Sequence, residues 1–130
     1  MKKQLEKLEE FNKVFKLGET PNKPTLISKK EFILRFDLMK EENDEYLEAC
    51  KENDLIEIAD ALGDQLYILC GTILKHGLQH KIEEVFDEIH RSNMSKLDQD
   101  GNPIFREDGK VLKGENYFSP KIKEILFITE

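Results

Sequence analysis

Carboxylate side chains occur in two short groups that lie close together in the sequence. The segment "EENDE" supplies Glu41, Glu42 and Glu45, and "EIAD" supplies Glu57 and Asp60 after eleven intervening residues. Both groups are embedded in apolar sequence. Because a helix returns to the same face every three to four residues, each group predicts carboxylates gathered on one face of its own helix.

The second group lies in an unusually apolar helix. Between Leu55 and Leu74 the charged residues are Glu57, Asp60 and Asp64, and none of them is basic. A helix that is apolar nearly all round is expected to be buried. Burying an unpaired carboxylate costs several kcal/mol, so such groups are normally paired or bound to metal. No lysine or arginine of this helix can pair with them.

A tight turn between two antiparallel helices would bring the two acidic groups face to face. Carboxylates that face one another repel unless cations lie between them. Oxygen ligands without histidine or thiolate favour Mg²⁺ or Mn²⁺. The sequence therefore predicts a divalent-metal site between these helices.

The elements that would position the acids can be predicted from periodicity and capping residues. We expect an amphipathic helix over 2–16, a loop to Ser28, and a long helix over about 29–51 that starts with a capping box of Ser28 and Glu31. A second long helix, capped by Asp54, is predicted over about 55–76, and a third over about 79–94. The fold class predicted is an all-α helical bundle.

The sequence that follows the third predicted long helix differs in composition from the helices before it. "PIFREDGKVLK" has the signature of a hairpin around Asp108-Gly109, and "PKIKEILFITE" predicts a short docking helix. No boundary in the sequence justifies a second domain, so a single domain over residues 1–130 is expected.

Apolar stripes predict which faces are buried. On the first long helix the predicted core stripe is Phe32, Phe36, Met39, Tyr46 and Cys50. On the next helix it is Leu55, Ile58, Leu62, Leu66, Leu69 and Ile73. The predicted solvent face of the first long helix is Asp37, Lys40, Asp44, Glu48 and Lys51.

Composition excludes several classes of function. The 130-residue chain has 38% apolar and 36% charged residues and a net charge of −7, a poor match to nucleic-acid binding through bulk electrostatics. The mix fits a helical protein that is strongly solvated or that buries more area by oligomerising. No segment resembles a membrane span or a signal peptide. Cys50 and Cys70 are expected to be reduced thiols in a cytoplasmic protein.

The two acidic motifs, E-E-x-x-E and E-x-x-D, resemble those of the all-α nucleoside triphosphate pyrophosphohydrolases, the MazG-like superfamily, which includes dimeric all-α dUTPases. The downstream segment "DEIHRSNMSKLDQDGNPIFREDGKVLKGENYFSP" resembles the phosphoribosyl-ATP pyrophosphohydrolase-like branch. The resemblance implies a homodimer or dimer of dimers. It also implies Mg²⁺-dependent cleavage of a nucleoside triphosphate to monophosphate and pyrophosphate.

The resemblance also implies roles for individual residues. Glu42, Glu45, Glu57 and Asp60 would be metal ligands. Glu41 would orient or deprotonate the attacking water, and the roles of Glu41 and Glu42 could be exchanged. Asp64, one turn beyond Asp60, lies outside the motif and would support a ligand or contact substrate.

Polar residues of the tail are candidates for substrate binding. Asn93 and Lys96 continue the apolar stripe of the third long helix, so both are expected to point inward. Lys can hold phosphate as a point charge, and Asn can read a base or sugar edge. Lys110 and Lys113 are also candidates to close over phosphates. Tyr117 or Phe118 could stack on a base, although core packing is the simpler role.

Other interpretations account for less of the sequence. "DQDGN" resembles a phosphatase motif that follows a buried strand, but here it follows a helix end. Two alternatives stay open. One is phosphoribosyl-ATP hydrolysis in histidine synthesis, and the other is a non-catalytic helical nucleotide-binding or interaction protein.

Overall fold

The computed structural model describes residues 1–127, and these form five helices. They are α1 (Lys2–Val14), α2 (Lys29–Lys51), α3 (Leu55–Lys75), α4 (Ile82–Met94) and α5 (Ile122–Phe127). Within this part of the chain the only β pairing is one isolated bridge. The all-α prediction is therefore confirmed.

The chain divides into two compact units, Met1–His80 and a second that begins at Lys81. Each unit is described by itself below. A single domain over the whole chain stays a prediction. None of the helices that the structure describes is long and apolar enough to cross a membrane.

Side-chain caps fix where the two long helices begin. The Ser28 hydroxyl accepts a hydrogen bond from the Glu31 amide at 3.2 Å, and the Asp54 carboxylate accepts one from the Glu57 amide at 3.1 Å. These bonds satisfy amides that the first helical turn leaves without intrahelical partners. Both predicted caps are confirmed, and α2 spans the predicted residues 29–51.

A short turn reverses the chain between α2 and α3. Asn53 adopts a left-handed conformation with φ of 55°, and the Asp54 amide donates to the carbonyl of Ala49 at 3.0 Å. This local closure directs α3 back along α2, and α3 also packs against α1. The acids at the C-terminal half of α2 consequently face those at the start of α3.

The buried core of the first unit is small. Its buried apolar residues are Leu5, Leu8, Ala49, Ala61, Cys70, Ile73 and Leu74. Much of both predicted core stripes is wrong for the single chain, because within the first unit only α1 and α2 pack against α3. The exposed members include Phe32 and Phe36 on α2 and Leu55, Leu62, Leu66 and Leu69 on α3. The predicted solvent face of α2 is exposed at all five positions.

The second unit contains α4, a hairpin and α5. Helix α4 begins at Ile82, three residues later than predicted. The predicted hairpin is confirmed in minimal form: Phe105 and Val111 form an antiparallel bridge, and Gly109 takes the turn with φ of 89°. Helix α5 packs against α4, as expected of a docking helix; the predicted segment's last three residues, 128–130, lie outside the described residues.

Candidate metal centre

Three carboxylates converge where α2 packs on α3. Glu42 and Glu45 lie one turn apart on α2, and Asp64 faces them from α3. One oxygen of each lies within 4.8 Å of the others. Oxygens at such separations can coordinate one cation, whereas without a cation their charges repel.

Glu42 is the most perturbed member of this cluster. Its Oε2 is buried and has no hydrogen-bond partner. Burial, together with the hydrogen bond to Glu45 and the negative charges of Asp64, Glu45 and Glu41, raises the pKa of the Glu42 carboxyl to about 7, and burial is the largest of these causes. A buried carboxylate oxygen without a partner is costly, so this group needs either a proton or a cation.

The nearest arginine on this face of α2 does not neutralise the cluster. Arg35 lies two turns before Glu42, and its Nε donates to the Thr72 hydroxyl at 2.9 Å. Its Nη2 donates to the Ile68 carbonyl at 2.7 Å, and burial lowers its pKa. The guanidinium fits because residue 71 is glycine: a Cβ there would lie 2.7 Å from Nη2. Arg35 therefore fixes how α2 sits along α3 and leaves the acids unpaired.

A concave acidic surface adjoins the cluster. A cavity of about 400 Å³ is lined by six acids and one alanine, namely Glu41, Asp44, Glu45, Glu48, Ala49, Glu52 and Glu57. Glu45 belongs to both the cluster and this lining. A surface with such a charge density attracts cations and repels a bare polyphosphate.

The donor set fits a hard divalent cation. All three converging side chains offer carboxylate oxygens, and neither histidine nor cysteine belongs to the cluster. Oxygen-only sites of this kind suit Mg²⁺ or Mn²⁺ rather than Zn²⁺. The orphaned Glu42 oxygen is the observation that a bound cation would explain.

The structure groups the predicted acids differently from the sequence motif. Glu42 and Glu45 lie together as expected, while Glu41 and Glu57 line the adjoining cavity. Asp60 is exposed and belongs to neither group within residues 1–127, so its role as a ligand stays a prediction. Asp64 joins the cluster directly, a placement that its spacing of four residues from Asp60 could have suggested.

The predicted substrate-binding residues other than Asp64 all belong to the second unit. Lys96 is half-buried, and Asn93, Lys110 and Lys113 are exposed. The prediction that Asn93 points inward is therefore wrong for this chain. Its neighbour Ser92 faces inward instead, is 2% exposed, and donates its hydroxyl to the Phe118 carbonyl at 2.7 Å.

Comparison with known proteins identifies the family to which the chain belongs. Residues 8–93, about two thirds of the chain, match the pattern of the phosphoribosyl-ATP pyrophosphohydrolase family. The chain therefore belongs to that family, whose fold is the helical one of the nucleoside triphosphate pyrophosphohydrolases. Family and fold together define a class of hydrolases that act on phosphoric anhydrides.

Two individual relatives are similar over part of their length. A protein of Acanthamoeba polyphaga mimivirus, itself uncharacterized, is 33% identical over 92 residues, covering 71% of this chain and 33% of the viral protein. A solved structure from Exiguobacterium sp. 255-15 is 31% identical with a TM-score of 0.50, covering 75% of this chain and 62% of that one. Its own assignment as an NTP pyrophosphohydrolase is a proposal. The chain thus spans less than two thirds of both relatives.

Proposed function

We propose that this protein hydrolyses a ribo- or deoxyribonucleoside triphosphate to the monophosphate and pyrophosphate, with Mg²⁺ or Mn²⁺ as cofactor. The observation that carries the proposal is the cluster of Glu42, Glu45 and Asp64, with its orphaned buried oxygen, in a chain of this family. Such an enzyme would remove unwanted nucleotides from the cellular pool.

In this proposal some of the acids coordinate the cation, and another orients or deprotonates the attacking water. Glu42, Glu45, Glu57 and Asp60 would hold the metal, and Asp64 would join them or contact the substrate. When bound, the metal neutralises charge on the phosphate oxygens and makes a water more acidic. Glu41 would orient that water or take its proton, and Glu42 could exchange roles with it, since a carboxyl with a pKa of about 7 suits proton transfer.

Side chains of the second unit are also proposed to contact the substrate. Lys96, Lys110 and Lys113 offer ammonium groups for phosphate oxygens, and Asn93 offers an amide for a base or sugar edge. The exposure of Asn93 is compatible with contact to a ligand. These assignments rest on residue chemistry and on the family.

A second copy of the chain is the proposed partner, as a homodimer or a dimer of dimers. Helix α3 leaves Leu55 77%, Leu62 50%, Leu66 47% and Leu69 44% exposed. Monomers rarely expose so continuous an apolar face. Light scattering after gel filtration should give at least a dimer, and Leu66→Glu should shift it to monomer. A monomeric wild type would contradict this assignment.

The decisive experiment is a panel of purified nucleoside triphosphates, including dUTP and phosphoribosyl-ATP, assayed with Mg²⁺, with Mn²⁺ and with EDTA. Chromatography must separate monophosphate plus pyrophosphate from diphosphate plus phosphate. Metal-dependent pyrophosphate release from one or a few substrates would support the proposal. Release of diphosphate and phosphate would contradict it.

Phosphoribosyl-ATP is the second candidate substrate, because the matched family carries its name. Turnover of that compound alone would indicate that the protein acts in histidine synthesis. Metal-dependent binding without turnover would favour a non-catalytic nucleotide-binding protein.

Both cysteines are free thiols, which agrees with the reducing cytoplasm proposed as the location.

A further inference from the structure

Helix α2 lies along α3 with little interlocking of large side chains. In α2, all of which the structure describes, the only buried residue is Ala49. The large apolar side chains of α2 are half-buried or exposed. Two packed helices normally fix their register by fitting ridges of side chains into grooves, and one alanine is too small to do so. Other contacts must therefore set how far α2 sits along α3.

The Arg35 side chain grips one turn of α3 through a closed ring of hydrogen bonds. Its Nε donates to the Thr72 hydroxyl at 2.9 Å, and its Nη2 donates to the Ile68 carbonyl at 2.7 Å. The Thr72 hydroxyl in turn donates to the same Ile68 carbonyl at 3.1 Å. Because the guanidinium is a rigid planar fork, both acceptors are satisfied at only one position of α2 along α3.

A second bond ties the two helices at the acidic cluster itself. The Gln65 Nε2 donates to the backbone carbonyl of Glu42 at 3.4 Å. Gln65 directly follows Asp64, so this bond links the backbone segments that carry two of the three clustered acids. Arg35 lies seven residues before Glu42, roughly 10 Å along α2. The two ties therefore hold α2 on α3 at the cluster and at a point two turns away from it.

We propose that Arg35 and Gln65 are positioning residues for the metal centre. Their two ties set the register that brings Asp64 of α3 to Glu42 and Glu45 of α2. The inference rests on the proposed function for the identity of the cation, and it assigns roles to two residues outside the acidic motifs. Metal–ligand distances tolerate changes of only about 0.2 Å, so a small slip of one helix along the other would separate the ligands.

The charge of Arg35 and its position predict opposite results. Removing a positive charge near an acidic site should strengthen the binding of a cation. Removing a group that holds the ligands in place should weaken it, typically by about 10- to 100-fold for residues that only orient ligands. The direction of the change in metal affinity therefore decides between the two roles.

The test is calorimetric titration of the full chain with Mn²⁺. Arg35→Met should raise the Kd for Mn²⁺ on the order of tenfold. Thr72→Val, which keeps the charge of Arg35 and the shape of residue 72, should raise it severalfold, and so should Gln65→Met. Because Arg35 and Thr72 belong to one ring, the double variant Arg35→Met/Thr72→Val should bind no more weakly than Arg35→Met.

Two controls separate position from general stability and from charge. Leu5→Ala truncates a buried leucine of α1, so it should lower the Tm at least as much as Arg35→Met does while leaving the Kd for Mn²⁺ unchanged. Lys40→Met removes an exposed positive charge from the same helix as Arg35 and should bind Mn²⁺ at least as tightly as the wild type. Circular dichroism at the assay temperature confirms that each variant is folded.

The inference is overturned if Arg35→Met and Thr72→Val bind Mn²⁺ as tightly as the wild type or more tightly. It is also overturned if Leu5→Ala weakens binding as much as they do, or if the losses from Arg35→Met and Thr72→Val add in the double variant.

The wild-type protein distinguishes this inference from the proposed function. Mn²⁺ binding that weakens in the variants as described, without hydrolysis of any nucleotide by the wild type, would support the positioning roles and contradict the enzyme. Hydrolysis and Mn²⁺ binding by the wild type with an unchanged Kd in Arg35→Met and Gln65→Met would do the reverse. A wild type that does not bind Mn²⁺ would contradict both.

Discussion

Helix α2 carries acids in two very different surroundings. On its outer face Asp44 pairs with Lys40 at 2.9 Å and Glu48 pairs with Lys51 at 3.5 Å, all of them well exposed. On its inner face Glu42 has a buried oxygen without a partner. The residue types are the same, and the difference is whether a carboxylate faces water or α3.

As ion pairs the outer acids contribute little to stability, because pairs exposed to this degree are well solvated, although Asp44 and Glu48 also line the acidic cavity beside the cluster. The inner acids do, because the nearest arginine, Arg35, is engaged by Thr72 and Ile68. Among the described residues Glu42, Glu45 and Asp64 form no ion pair with a lysine or arginine, so these acids remain available for a cation. The predictions below test this contrast, starting with the largest expected effect.

Glu45→Gln should reduce metal-dependent turnover by at least about 100-fold, the upper end of what loss of a ligand's supporting partner costs. Glu45 belongs to both the acidic cluster and the adjoining cavity, so its loss removes a charge that both share. The check is kcat/KM with the best substrate of the panel. Asp37→Asn, on the outer face, is the control and should retain wild-type turnover. Equal activity in the two variants would remove the basis for the site.

Divalent-metal affinity should rise with pH up to about 7 and then level off. The pKa of Glu42 is raised to about 7, and a cation can bind only after that proton leaves, so the Kd for Mn²⁺ should improve about tenfold per pH unit below that value. Titrations between pH 5.5 and 8 measure this. Glu42→Gln should flatten the profile, and a flat wild-type profile would contradict the assignment.

The same group gives an opposite trend in the metal-free protein. Because the folded pKa of Glu42 lies above its ordinary value of 4.5, the folded state retains a proton that the unfolded state releases. Its contribution to stability is therefore present at low pH and is lost as pH rises through about 7. In EDTA the Tm of the wild type should fall between pH 5 and 8. The Tm of Glu42→Gln should fall less over this range than the Tm of the control variant, Asp37→Asn.

Gly71→Ala should lower the free energy of unfolding by roughly 1–2 kcal/mol, because a Cβ 2.7 Å from the Arg35 Nη2 displaces the guanidinium from its partially buried hydrogen bonds. Gly63→Ala is the matched control on the same helix. A Cβ at residue 63 meets nothing within 4 Å, so that variant should gain up to about 1 kcal/mol. Urea unfolding compares them. Equal effects would show that Arg35 does not fix the packing of α2 on α3.

Asp44→Asn should change least. It removes the exposed pair with Lys40, and surface pairs of this kind should move the Tm by no more than about 2 °C. A thermal melt at low salt, where screening is weakest, is the most sensitive check. A larger drop would show that the outer acids contribute more than their exposure implies.

Local sequence determined the helices well. Ser28 and Asp54 cap the two long helices as predicted, since a cap depends on residues only three positions away. The hairpin at Gly109 was also predictable, because a turn is read from adjacent residues. The acids of the two motifs were recognised for the same reason: their spacing within each helix is a local property.

The contacts between helices were decided by tertiary structure. Asp64 completes the cluster with Glu42 and Glu45, whereas Asp60 of the motif does not, because the depth and rotation of α3 on α2 depend on contacts such as that of Arg35 with Thr72. Likewise, α3 is apolar nearly all round, yet much of it is exposed. Periodicity states which faces can be buried, but the packing partners available decide which of them are.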